Sequence, residues 1–150
     1  MLNPFDIKAA LQAKHAQHVV LIHFPIALFI AGVAFDFLAQ WTKRSLLAAA
    51  AYCNLLVAAM ATIPVLITGV LAWQWQLEGQ RLKGILLMHL IMGSVSSALI
   101  WLVWLIHRKS HGKQEGDLPG YRLPFEVVAV TLVTLTGHLG GFLSGVNGQG

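Results

Sequence analysis

The chain has 150 residues, of which 57% are hydrophobic and only 11% charged, with a formal net charge of +4. A soluble domain carries about 25% charged residues, so this balance, with a mean hydropathy of +0.69, excludes an ordinary soluble fold and points to lipid. One cysteine, Cys53, excludes an internal disulfide and any multi-cysteine metal or iron–sulfur site.

The first seventeen residues, MLNPFDIKAALQAKHAQ, mix charged and apolar side chains and lack a small-residue cleavage site, unlike a secretory signal. After Asn3-Pro4 they fit a short interfacial helix, with Phe5, Ile7 and Leu11 toward lipid and Lys8 toward water. A loosely ordered tail is the competing reading. Residues 1–18 therefore form an N-terminal interfacial segment, 19–143 a transmembrane domain, and 144–150 a glycine-rich tail.

Four segments, near 19–40, 46–73, 84–106 and 123–143, are long enough to cross a bilayer, which takes about 20 apolar residues. The second is the longest and is expected to tilt or extend past the hydrocarbon. Trp73 and Trp75 mark one interface; Trp41, Trp104 and Tyr121 suit the other. The connections WTKRS, QWQLEGQRLK and HRKSHGKQEGDLPGYR are short, which favours antiparallel neighbours. The expected fold is all-α integral membrane, an antiparallel four-helix bundle. A weak two-fold relation between the helix pairs stays open.

The isoelectric point of 9.6 comes from basic residues scattered between apolar runs, a topology signal and not a nucleic-acid footprint. Lys43, Arg44, Arg108, Lys109, Lys113 and Arg122 lie on one side; Lys8, Lys14, Arg81 and Lys83 lie on the other. The larger set belongs in the cytoplasm by the positive-inside rule. Both termini then face the periplasm, or the outside.

Three histidines stand inside the spans. His23 is early in the first, His89 early in the third, and His138 near the end of the fourth. With alternating spans, all three fall near the outer face, roughly 7–9 Å below the helix ends at 1.5 Å per residue. The second span supplies Thr68 and Gly69 at that depth. Ionisable groups within membranes are costly and point to function, although a single buried histidine also serves as a strut between helices. Imidazole suits Fe, Cu and Zn. A b-type haem needs two facing imidazoles and a slot lined by small residues. Gly93 lies one turn beyond His89, and Gly137, Gly140 and Gly141 flank His138. Glycine admits a macrocycle or simply a second helix.

Pro25 cannot donate to the Leu21 carbonyl, so a kink beside His23 is expected to aim its imidazole, or to free a carbonyl for its Nδ1–H. His18 lies about 140° from His23 around a helix, at the interface, where it could bond a propionate or exchange protons. His15, His107 and His111 read as loop or helix-end groups. Asp36 reads as an ion pair with Arg44 or Arg122, and Asn54 as a bond between helices.

The stretch HVVLIHFPIALFIAGVAFDFLA at 18–39 resembles the opening helix of a widespread bacterial family of four-helix membrane proteins, domain-of-unknown-function family 2231. His18, His23, Phe24, Pro25, Phe35 and Asp36 match its pattern, while Val19 replaces a proline. TGHLGGFLSGVNGQG at 136–150 resembles its closing segment through His138, Gly140 and Gly141; Ser144 and Asn147 depart from the usual tyrosine and histidine. His89 corresponds to a histidine of the family's third helix. The resemblance implies a redox role beside Rieske-type or cytochrome partners, with haem b or quinone chemistry, in the bacterial inner membrane.

The expectation is a b-type cytochrome subunit, with haem held near the periplasmic face by two of His23, His89 and His138. His23 with His89 is the favoured pair, because spans one and three are diagonal in an up-down ring. His138 would bond a propionate or exchange as ligand, with Gly93, Gly137 and Gly141 near the slot and His18 in reserve. Electrons would pass to a periplasmic redox protein or from quinol. The rivals are a Cu or Zn site of His23, His89 and His138, and a structural subunit of a larger membrane complex. An independent hydrolase is not expected: paired carboxylates and a phosphate loop are missing, and Ser144 has no base placed around it.

Overall fold

The computed structural model describes residues 14–110 and 120–144, and for 14–16, 76 and 110 the backbone alone. Four helices account for most of this: α1 (Lys14–Thr42), α2 (Ser45–Gln76), α3 (Gly84–Ser110) and α4 (Arg122–Leu143). No strand occurs among the described residues. All four helices are long and apolar enough to cross a membrane, so the protein is an all-helical, four-span bundle. The helices begin and end within a few residues of the sequence expectation. The exception is α1, which already runs through Lys14–His18 and so carries the first span into what the sequence suggested was a separate segment. Residues 1–13 of the expected interfacial segment 1–18, the tail beyond Ser144, His111 and Lys113 lie outside the described residues, as does the His15 side chain.

α1 turns into α2 through Lys43 and Arg44. Lys43 takes a left-handed backbone (φ 57°) and its N–H closes α1 on the Ala39 carbonyl at 2.8 Å. The α2–α3 loop reverses through Glu78 and Gly79, and the indole N–H of Trp73 ties it down on the Gln80 carbonyl at 2.9 Å. α1 packs mainly on α2, and α3 mainly on α4; α2 meets α3 and α1 meets α4 to close the ring. α1 and α3 are therefore diagonal, as are α2 and α4.

Side-chain size sets this packing. A Cβ on Gly32 would stand 3.0 Å from Leu55, so the α1–α2 crossing depends on a glycine. Phe29 and Leu55 are fully buried at the centre, with Val103 of α3 and Ala129 of α4. Between helices, Trp101 donates to the Thr62 hydroxyl at 3.0 Å, and Ser96 and Thr136 share a bond of 2.9 Å. The outer surface is apolar: Val20, Phe24, Leu46, Val57, Met60 and Val127 are all at least half exposed. Water would not tolerate so continuous an apolar belt, and lipid requires it. Pro25 and Pro64 are both accommodated within unbroken helices.

Candidate functional site

Two clusters of polar residues stand on the interior faces, one toward each end. The helix repeat explains their placement. His18 and Asp36 are 18 residues apart on α1, as are His89 and His107 on α3 and Gly140 and Arg122 on α4; that spacing is about five turns, so each pair shares a face, roughly 27 Å apart along the axis.

At the first end, His18 of α1 and His89 of α3 project into the bundle from diagonal helices and lie near enough to interact electrostatically. Each imidazole is seated on a glycine of the adjoining helix. A Cβ on Gly69 would stand 3.1 Å from His18 Cε1, and one on Gly140 would stand 3.2 Å from His89 Cε1. The Thr68 hydroxyl lies 3.1 Å from His18 Nδ1 and gives its own proton to the Pro64 carbonyl at 2.9 Å. The His18 ring also lies beside the Val65 backbone carbonyl, so it is held from α2 by both groups. His89 lies beside the Thr136 carbonyl, and its Nδ1 is buried without a hydrogen-bond partner.

The other expected site residues fall elsewhere. His23 is exposed on the outer face of α1, its Nδ1–H donating to the Val19 carbonyl at 2.6 Å. The expected His23–His89 pair is thus not brought together; His18 stands in that position. The 140° that separates His18 from His23 allows one of them inside, and α1 is rotated to bury the stripe of Pro25, Phe29 and Asp36, to which His18 belongs. His138 is exposed on α4 and meets Phe142 edge-on at 5.0 Å between ring centres. Three imidazoles at one point, as a His23–His89–His138 metal site requires, do not form. Gly137 packs against Ile26 and Gly93 faces the Thr136 methyl group, so both serve helix contact here; Gly141 is half-buried.

At the second end, Arg122 donates through Nε to Asp36 Oδ2 at 2.9 Å and through Nη2 to Oδ1 at 3.3 Å, with Gln40 Oε1 beyond at 3.4 Å. Arg122, and not Arg44, is the partner of Asp36. Beside it, His107 Nε2 and Glu126 Oε1 are 2.7 Å apart, both residues buried. His107 is a helix-end group, as expected, but it is buried against Glu126. Glu126 was overlooked in an apolar stretch; its position one turn past Arg122, on the same face, was the available signal. Asn54, expected to bridge helices, donates instead to Ala50 of its own helix at 2.8 Å.

The model for the family described as "Predicted membrane protein (DUF2231)" matches residues 14–149. The chain belongs to this family. The match takes in all four spans and both polar clusters of the DUF2231 bundle. No curated protein and no solved structure matches the chain.

The diagonal pair meets the simple requirements for a two-imidazole cofactor site. The donors are neutral nitrogen ligands, they come from opposite helices, and one ring nitrogen is buried and unpartnered. Each ring has a glycine beneath it where any larger residue would push it aside.

Proposed function

We propose that this DUF2231 protein is a membrane b-type cytochrome subunit for one-electron transfer, with His18 and His89 as the axial pair for a single haem b. The observation that carries the reading is the diagonal pair of glycine-seated imidazoles, with His89 Nδ1 buried and unbonded. Haem, when bound, supplies a one-electron couple whose potential depends on its axial ligands and surroundings. The chain's own residues provide the rest. Thr68 holds the His18 ring in orientation. Gly69 and Gly140 set the ring positions from the other two helices, and the surrounding apolar helices limit water, which favours neutral over charged groups.

The Lys/Arg distribution supports placing this end toward the periplasm, in a bacterial inner membrane with both termini outside. Partners consistent with that placement are a periplasmic cytochrome or Rieske-type protein, quinol at the membrane edge, or the larger subunits of a membrane complex. A Cu or Zn site is the weaker reading. Structural zinc takes four ligands and catalytic zinc three, and the outward positions of His23 and His138 leave two imidazoles at this end among the described residues.

The test is the dithionite-reduced minus oxidised spectrum of the detergent-purified protein, with haem and metal content per chain. A sharp low-spin b band near one haem per chain is expected. It should be lost in His18→Ala and in His89→Ala and kept in His23→Ala. A spectrum without haem bands overturns the reading, as does full retention in both of the first two variants; bound copper or zinc in its place favours the metal site.

A further inference from the structure

Within the buried cluster of Asp36, His107, Arg122 and Glu126 the charges do not balance without an added proton. Asp36 and Glu126 bring two negative charges, and Arg122 brings one positive charge that Asp36 holds with two hydrogen bonds. Glu126 is left with His107 as its hydrogen-bonding neighbour, at 2.7 Å. Asp36, His107, Arg122 and Glu126 are all at most 6% exposed, within helices that cross the membrane. With His107 neutral and Glu126 ionised, the group would carry a net negative charge in a low-dielectric interior, which is strongly disfavoured. One proton removes it, on His107 as an imidazolium or on Glu126 as a carboxylic acid. A second observation agrees: Glu126 Oε2 is buried with no hydrogen-bond partner, a poor setting for a full carboxylate charge.

We infer that the Asp36–Arg122–His107–Glu126 cluster is a proton-binding site that holds one exchangeable proton between His107 Nε2 and Glu126 Oε1. It does not depend on haem at the other end. The proton comes from water, and binding it takes the cluster from net negative to neutral with no other group released. Access is short: His107 lies in the last turn of α3 and Glu126 one turn into α4. Among the described residues, charged groups at this end of the bundle include Arg108, stacked over Trp104 at 5.3 Å, Lys109 in the same turn, and Lys43 and Arg44 between α1 and α2. From α1 the cluster meets Asp36 and Gln40. On α2, Tyr52 is partly buried against the adjoining core.

The same atoms raise the prospect of a cation site, since one donor each from Asp36, His107 and Glu126 lie within 4.8 Å of one another. Arg122 opposes that use. Its guanidinium already engages both Asp36 oxygens, and a divalent ion would sit beside a fixed positive charge.

The experiment is ¹⁵N NMR of the histidine rings in lipid nanodiscs, with infrared detection of carboxylic acid groups, across about pH 5–8, where free histidine titrates. His107 is the one histidine followed by arginine, so pairing a carbonyl label on histidine with a nitrogen label on arginine identifies it without mutation. Either an imidazolium at His107 or a protonated carboxyl that disappears in Glu126→Gln is expected at neutral pH, one proton per chain. A neutral His107 together with an ionised Glu126 throughout the range overturns the proposal. So does uptake of one zinc per chain from added zinc alone that is lost in His107→Gln. The wild-type readings decide the matter even where a variant fails to fold.

Discussion

The two ends of the bundle use the same four helices and the same interior face, about five turns apart, in opposite ways. At the His18 end the polar groups are neutral donors and acceptors, seated on glycine, and one ring nitrogen is left unsatisfied. At the Arg122 end the polar groups are charged and joined in ion pairs, with Glu126 Oε2 and the nearby Trp104 indole N–H left without a partner. The contrast separates two uses of buried polarity. A buried ion pair fixes which helices adjoin, whereas imidazoles seated on glycine are, in the reading proposed above, ligands for a cofactor.

The largest effect that would test this contrast is at the charged end. Arg122→Ala strands Asp36 without its partner, and breaking a buried pair costs about 3–5 kcal/mol. Detergent unfolding should show that loss, and adding Asp36→Asn should recover much of it. If the single variant costs no more than a surface change, the two ends are not different in kind.

Next in size are the glycine seats. Gly69→Ala and Gly140→Ala each place a methyl group 3.1–3.2 Å from an imidazole carbon, overpacking worth about 1–3 kcal/mol and expected to displace the ring and lower cofactor content. Gly93→Ala is the control, since its new methyl would meet Thr136 at 3.8 Å, ordinary contact. Equal losses in all three would mean that the seats are general packing and not fitted to histidine.

Smaller changes are expected between and outside the two ends. Ser96→Ala removes the bond to Thr136, and such bonds in membranes average about 0.6 kcal/mol. His23→Ala should fall within about 0.5 kcal/mol of wild type, because its ring bonds only its own helix backbone among the contacts described. A large His23 effect on stability or cofactor content would move the site toward the outer face.

Much of this was legible in the sequence for a plain reason: length and apolarity are properties of each span by itself. Four spans, their antiparallel order and the diagonal placement of α1 and α3 follow from run lengths and short loops. His89 was identifiable as an intramembrane histidine, and Asp36–Arg122 as one of two candidate pairs. The rotation of each helix was harder, because a span apolar all round gives little sign of which face turns inward. His23 lies deeper along the span than His18, but the face each ring occupies, not its depth, decides which enters the bundle. The interior acid was the better guide. Asp36 shares a face with His18 and lies about 220° around the helix from His23. His107 and Glu126 were missed because each sits near a span end, where a charged residue is ordinarily taken as interfacial.

The glycine seats have a consequence for how the protein comes together. His18 rests on Gly69 within the α1–α2 hairpin, and His89 rests on Gly140 within the α3–α4 hairpin. Each half of the diagonal pair is thus complete inside one continuous stretch of chain, before the other half is needed. Asp36–Arg122, by contrast, joins the first hairpin to the second. The molecule is in effect a two-piece kit with an ionic clasp. Cut in the loop between α2 and α3 and expressed as two polypeptides, the pieces should find each other by that clasp, and complementation between them would bring the two imidazoles face to face.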